Sequence, residues 1–375
     1  MKIAVNARLL RKNQMDGIGW FAYNTLKYIV EFNPNIEFHF FYDSGIEDEF
    51  LFGKNVTPHN LFPPAKHALL NLLWFEWSLK NSLKKINPDL LFSPDGILCL
   101  GWQGKQYGVI HDINFHHNPK DLKWSNRAYY NYVIPRSASL ATRIGTVSEY
   151  SKQDMVNTYG IDPQKIDVVY NGVNNFFHPI DEEKKKSVKL LYSGGKEYFI
   201  YIGTLHPRKN ILRLLQAFER FKSITKSDIK LLLAGKPLYQ SGDIIHYHDK
   251  MFFKKDVQFL GHVDNVELND LLGAAMGLTF VPYFEGFGIP IIEAFQCNVP
   301  VISANTTALP EVAGNAALYV NPFQVEDISN AMQKISSDEG LRKKLISEGS
   351  VRKSLFNWEN TAHLLWNGIK YCLND

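Results

Sequence analysis

The sequence predicts an α/β protein of two doubly wound parallel sheets, and three observations predict it. Apolar runs of strand length alternate with helix-length segments along most of the chain, the pattern of β-α-β units. The 375 residues exceed a typical single domain, and 45% are hydrophobic, enough for two cores. A polar break divides the alternation within 177–197. It holds His178-Pro179, the charge run Glu182-Glu183-Lys184-Lys185-Lys186 and the turn Ser193-Gly194-Gly195. The expected domains are 1–178 and 190–356, followed by a last apolar helix at about 357–375.

The composition narrows the function classes. With 41 basic and 38 acidic side chains the net charge is +3, which does not point to nucleic acid, and 13% aromatic residues argue against disorder. No short repeat marks a solenoid. Cys99, Cys297 and Cys372 lie far apart without metal-ligand spacing, and Cys99 and Cys297 read as buried thiols in a reduced, cytoplasmic setting. Ile3–Val5 is a short strand followed by Asn6, Arg8 and Arg11 rather than the core of a signal peptide, and no apolar run approaches a membrane span.

In chain order, 2–6 reads as a buried strand, and Asp16-Gly17-Ile18-Gly19 as a loop before a helix from Trp20 to Phe32. Gly17, Gly19 and Ala22 satisfy G-x-G-x-x-A, but about ten residues separate them from their strand, against a dinucleotide fingerprint. No cofactor is therefore expected. A strand follows at Glu37–Tyr42, then an irregular Pro- and Asn-rich stretch over 53–66. The helix Leu69–Lys85 carries Leu70, Leu73, Trp74, Trp77 and Leu83 and ends in Lys84-Lys85. It reads either as a core helix with a basic C-terminus or as a face for a membrane or an acceptor. Strands come next at Leu90–Ser93 and Tyr107–Ile110, the second ending in His111-Asp112, where open α/β sheets bind ligands. His116 and His117 read as polar loop residues. No D-x-D sequence occurs and no His/Glu pair has helical ligand spacing, so no catalytic metal is expected. Trp124–Ala138 is a helix, Ser148 caps the next one, and Val168–Tyr170 is the last strand before the break.

The second half alternates over 198–202, 211–222, 229–234, 242–253, 257–260, 265–274, 278–281 and 289–298. Gly203-Thr204-Leu205-His206-Pro207-Arg208-Lys209-Asn210 leaves its first strand with two adjacent cations that can neutralise a diphosphate. Gly261 and His262 close another strand. Phe284-Glu285-Gly286-Phe287-Gly288-Ile289-Pro290 joins a strand to a helix whose Pro290 sits harmlessly in the first turn. Free N–H groups around Gly286, Phe287, Gly288 and Ile289 suit an anion, while Glu285 and Glu293 can accept from hydroxyls. Phosphate plus hydroxyls points to a sugar nucleotide.

These residues carry a family resemblance. EGFGIPIIEAFQCNVPVI, with its Glu-x7-Glu pair, resembles the signature of the GT-B retaining glycosyltransferases of family 4 (group 1). GTLHPRKN at 203–210, LLLAGK at 231–236, VQFLGHV at 257–263 and ALPEVAGNAALYVNP at 308–322 resemble family segments in the same order. So do VIHD at 109–112, TVSEYSKQD at 146–154 and VVYNGV at 168–173. The chain departs from one common pattern by placing Thr204 after Gly203, which leaves Arg208 and Lys209 as the cations.

The resemblance implies a GT-B fold, two Rossmann-like domains facing across a cleft, the last helix packing back on the first. It implies hexosyl transfer from a nucleoside-diphosphate sugar (GDP-mannose or a UDP-sugar) to a glycan or lipid-linked acceptor in polysaccharide biosynthesis. His111 would orient the sugar, Glu285 would accept from its hydroxyls, Glu293 would bind the ribose, and Arg208 and Lys209 would stabilise the leaving diphosphate. Gly17, Gly19, Gly203, Gly261 and His262 would line the donor with Gly286, Phe287, Gly288 and Ile289. The chain would be cytoplasmic, peripheral at the inner membrane face in its second reading. A sugar-nucleotide epimerase on the same fold and a non-catalytic sugar-nucleotide binder are the alternatives.

Overall fold

The computed structural model describes residues 1–12, 15–65, 67–236 and 242–374. They form two compact units, Met1–Gly172 with Asn357–Asp375, and Val173–Phe356. In the first unit seven strands run Lys2–Asn6 (β1), Glu37–Tyr42 (β2), Val56–Asn60 (β3), Leu90–Ser93 (β4), Gln106–Val109 (β5), Arg143–Thr146 (β6) and Ile166–Val168 (β7). They are ordered β3-β2-β1-β4-β5-β6-β7, every neighbouring pair parallel. In the second unit six strands run Tyr198–Ile202 (β8), Lys230–Ala234 (β9), Val257–Gly261 (β10), Gly277–Phe280 (β11), Val301–Ala304 (β12) and Ala317–Val320 (β13). Their order is β10-β9-β8-β11-β12-β13, again all parallel. Central strands covered on both faces must be apolar throughout; Tyr198, Phe199, Ile200 and Tyr201 of β8 are fully buried. Each winding reverses once, between β1 and β4 and between β8 and β11, which leaves a crevice beyond the carboxyl ends of those strands.

Several elements differ from the sequence reading. β3 occupies part of the stretch read as irregular; its Pro58 is tolerated because β3 is an edge strand and owes no ladder bond on its outer side. Residue 66, also in that stretch, lies outside the described residues. The first long helix begins at Gly17, not Trp20, because Asp16 caps it and accepts from Ile18 N (3.1 Å) and Gly19 N (3.0 Å). The last strand of the first unit is Ile166–Val168, ending before Tyr170. Beyond residue 298 the alternation continues with β12, β13 and the helices Val325–Ser337 and Glu339–Arg352.

The expected helix at Leu69–Lys85 is continuous but interrupted. It runs Ala68–Leu73, a π-helical turn Trp74–Leu79, then Lys80–Ile86. Trp74, Phe75, Leu79 and Leu83 are buried, while Leu69, Leu73 and Trp77 are exposed. His116 and His117 lie in the short helix Asn114–His117 rather than a loop, and His117 pairs with Asp154 (2.7 Å). Ser148 caps its helix by accepting from Ser151 N (3.0 Å). The last helix, Trp358–Asn374, packs on Gly17–Phe32 and on β4 to β7, inside the first unit. All three cysteines are buried and none forms a disulfide.

Candidate functional site

The second unit concentrates the expected residues at its switch point. The loop leaving β8 turns at Gly203, where φ is +139° and a Cβ would stand 2.8 Å from Tyr201 Oη. Beside it, Gly235 ends β9 with φ +159°, and a Cβ there would stand 1.8 Å from Gly203 O, so only glycine fits. Gly261 (φ +71°) ends β10, and its carbonyl accepts from Gly235 N at 2.7 Å. The turns after three adjacent strands therefore lie side by side. His262, next in the chain, is exposed.

Pro207–Lys209 forms a single helical turn, and the following Asn210 takes a left-handed φ of 63°. Asn210 is buried, and its Nδ2 donates to Val281 O (2.9 Å) and Pro322 O (2.7 Å). That tether ties the β8 loop to the end of β11 and brings both cations onto Glu285. Lys209 Nζ reaches Glu285 Oε1, and Arg208 Nη1 reaches Glu285 Oε2 at 3.0 Å and Phe284 O at 3.2 Å. Burial by itself would raise the Glu285 carboxyl; Arg208 and Lys209 outweigh it and hold the group below its ordinary range. Thr307 Oγ1 accepts from Glu285 N (3.2 Å) and is itself in a left-handed conformation, φ 56°.

Gly288 (φ +106°) is the N-cap of the helix Ile289–Gln296, and a Cβ there would meet Leu309 Cδ2 at 2.6 Å. The helix start is therefore free of a capping side chain. Gly286 and Phe287 are buried, the Phe287 ring against Phe356 (5.6 Å between centroids), so Phe287 offers a ligand only its backbone. Glu293 is half-buried on this helix, with no carboxylate partner among the described residues. Burial pushes its carboxyl up to about 8. The second unit thus holds one carboxylate saturated by cations and one awaiting donors.

In the first unit, His111 follows β5. Its Nε2 lies 2.9 Å from Pro94 O, which can only accept, so Nε2 carries the proton. Phe21 packs edge-on against the ring (4.8 Å). Burial lowers the imidazole pKa against the opposing pull of the Pro94 bond and of Asp112, Asp16 and Asp95, leaving the ring neutral. Gly17 and Gly19 are helical and not loop residues. A Cβ on Gly19 would touch Met15 Cβ (3.0 Å) and Leu9 O (3.3 Å), and the N–H groups of Ile18 and Gly19 already serve Asp16. Gly19 is thus required by close packing.

The tether through Asn210 and the support from Thr307 escaped the sequence reading, whereas Gly235 was legible as the glycine that closes its strand in LLLAGK at 231–236. Among the described residues no three His, Cys, Asp or Glu side chains form a metal-binding group.

Residues 181–352 match the family model for glycosyl transferases group 1, and residues 15–175 match that for glycosyltransferase family 4. The chain belongs to the family 4, group 1 glycosyltransferases. The two matches give way to each other between residues 175 and 181, close to the unit boundary at Val173. This glycosyltransferase is 29% identical over 263 residues to the O-antigen chain mannosyltransferase B of Escherichia coli, covering 70% of this chain and 69% of that one. Three further relatives are longer, and the match spans 28–29% of their length. A sucrose-phosphate synthase from Thermosynechococcus elongatus superposes with a TM-score of 0.79 at 20% identity, over 99% of this chain and 98% of that one. Anabaena Alr3699/HepE, in complex with UDP and glucose, gives 0.76 at 16% identity, over 99% and 100%. At these identities the likeness gives the fold, which is GT-B.

Proposed function

We propose that this glycosyltransferase moves a hexose, with retention at the anomeric carbon, from a nucleoside-diphosphate sugar to a hydroxyl of a glycan or lipid-linked glycan. The observation that carries the reading is the pair of cations on Glu285, beside an uncapped helix start at a strand switch point. Mannosyltransferase relatives and a neighbour holding UDP and glucose support GDP-mannose or a UDP-sugar as donor.

In this reading the donor diphosphate lies on the N–H groups from Gly286 to Ile289 and draws Arg208 and Lys209 towards itself. Gly203, Gly261 and His262 lie on the same switch-point face and border the nucleotide. Glu293 accepts from the ribose hydroxyls. Glu285 accepts from hydroxyls of the hexose and stabilises the positive charge that develops on it. His111 orients the hexose. The bond from the anomeric carbon to the diphosphate oxygen breaks as the acceptor oxygen approaches the same face, and the acceptor proton passes to the departing phosphate. As the bond breaks the leaving group carries one extra negative charge, which Arg208 and Lys209 would stabilise, and the proton it takes up is then released to solvent, so the free diphosphate keeps that charge. The protein cations thereby supply the charge a metal ion would bring.

A cytoplasmic site with peripheral contact at the membrane belongs to the same reading. The exposed stripe of Leu69, Leu73 and Trp77, continued by Lys84 and Lys85, fits an anionic interface. No helix among the described residues is long and apolar enough to cross a membrane.

A thermal-shift screen with GDP-mannose, UDP-glucose and a dTDP-sugar tests donor binding, since a ligand of the native state raises its melting temperature. One of them is expected to stabilise the protein, and nucleotide release is expected to require an added glycan acceptor and to survive EDTA. Release without acceptor, with an epimerised sugar as product, would replace the transferase reading by the epimerase one. Loss of transfer in EDTA, restored by manganese, would remove the charge-supplying role of the two cations.

A further inference from the structure

The proton on His111 is fixed by a turn 17 residues upstream, and that turn is itself held by a charged network. Ser93-Pro94-Asp95-Gly96 closes β4 as a tight turn, with Gly96 N donating to Ser93 O at 3.3 Å. Asp95 lies in its middle. Oδ1 accepts from Asn6 Nδ2 (2.9 Å) and Ile97 N (3.2 Å) and lies 2.9 Å from Ser93 Oγ, while Oδ2 accepts from Arg8 Nη2 (2.7 Å). Arg8 is in turn fixed by Asn6 Oδ1 (3.0 Å) and lies over the rings of Trp74 (5.0 Å) and Phe75 (4.7 Å). Gly96 presses the turn onto the strand that carries His111. With φ +73°, its Cβ would stand 2.7 Å from Ile110 Cγ1 and 3.0 Å from Val109 O. On the other side Ser151 Oγ donates to His111 O at 3.0 Å.

We infer that Asp95 is a positioning residue: through the Ser93–Gly96 turn it aims the Pro94 carbonyl at His111 and locks the imidazole in the Nε2-protonated tautomer, so that Nδ1 can only accept a hydrogen bond. Nδ1 has no partner among the described residues. The group His111 recognises on a substrate is then a hydroxyl that donates, not a carbonyl or phosphate oxygen. This rests on the reading that His111 contacts the sugar. It adds a requirement on the donor: a hexose whose hydroxyl at that place is deoxygenated or O-methylated loses the contact.

Asp95→Asn is the informative variant. It keeps the side-chain shape but sets an amide NH2 against Arg8 Nη2 or against the donors on Oδ1, so the turn must shift. Nitrogen-15 NMR of the histidine rings, assigned with His111→Gln, reads the tautomer directly, and a melting curve reads the fold. Expected are a pure Nε2-protonated signal in the wild type and a mixed one in Asp95→Asn. Turnover of GDP-mannose or UDP-glucose, whichever the screen selects, should fall about tenfold while KM for the acceptor holds. Gly96→Ala, which moves the same turn by a different collision, should give the same mixture. A wild-type ring protonated on Nδ1, or a pure Nε2-protonated ring in both variants, overturns the proposal, as does a mixture with unchanged turnover. Failure of the underlying reading looks different: His111→Gln would then turn over as the wild type does, with the tautomer shift still present.

Discussion

The two switch points carry the same kind of group in two different states. Asp95, after β4, and Glu285, after β11, are each 9% exposed at the side chain and each meets a guanidinium. Arg8 is 6% exposed, held by Asn6 and covered by two aromatic rings, and every contact of Asp95 stays within the strand ends and one turn. Glu285 answers to two cations, of which Arg208 is 26% exposed and Lys209 12%. One topology therefore builds a locked charge pair and an exchangeable one. What separates them is the solvent reach of the cation: a cation that water can reach can turn to a ligand, and a covered one can only hold its partner.

The largest effect expected is on stability at the locked pair. Asp95→Ala leaves Arg8 buried without a counter-charge, which typically costs about 3–5 kcal/mol. Urea unfolding should show it, and Glu285→Ala should cost far less, since its cations can turn to water. Equal losses would erase the distinction between the two sites.

Next comes turnover at the exchangeable pair. Lys209→Ala and Arg208→Ala should each lower it by roughly a hundred to a thousandfold, the usual worth of a pre-organised group against developing charge, about 3–4 kcal/mol. Calorimetry should find the nucleoside diphosphate weakened more than the donor sugar, because only the product carries the extra charge. Unchanged product affinity in both variants would reduce the pair to a solvated turn.

A smaller effect is expected from pH. In the free protein Glu293 is raised to about 8, so it is protonated at neutral pH. Its folded pKa exceeds its unfolded one. Stability from this group is therefore complete below the unfolded carboxylate pKa of about 4.3 and is lost as pH rises through about 8. Donor binding runs the other way, because ribose hydroxyls favour the ionised form. Melting temperature without ligand should fall from pH 5 to 9, donor affinity should rise over pH 6 to 8, and Glu293→Gln should flatten both. A donor affinity independent of pH would place Glu293 away from the ribose.

The smallest effect on the fold is expected at the exposed side chains of the interrupted helix in the first unit. Trp77→Ser and Leu73→Ser should change stability by less than about 0.5 kcal/mol, as exposed substitutions do. Sedimentation with vesicles rich in anionic lipid should nevertheless lose the protein. Wild-type protein that stays in solution beside such vesicles would remove the membrane contact.

The sequence disclosed the alternation and the loops after β5, β8 and β11, because buried parallel strands are apolar runs and glycines and charges mark where they end. That Lys209 and Glu285 meet was not read from the sequence, because it depends on β8 and β11 lying side by side. Other features depend on contacts between distant residues. Asn210 reaches Pro322, and Thr307 supports Glu285 N, through side chains whose local sequence is ordinary. Asp16 was read as a loop residue because the cap shows only when its side chain folds back on Ile18 and Gly19. β3 escaped because Pro58 argues against a strand until its edge position is known.

The π-helical turn at Trp74–Leu79 leaves a mark on how the gene can vary. Such a turn takes in one residue more than the α-helix around it needs and absorbs it locally. Losing one codon there would restore regular winding and leave the residues downstream on their present faces, so Leu79 and Leu83 would stay in the core. The same loss within Lys80–Ile86 would instead rotate everything after it by about 100° and swing Leu83 outward. A one-codon deletion scan of this helix should therefore find its tolerated positions within Trp74–Leu79.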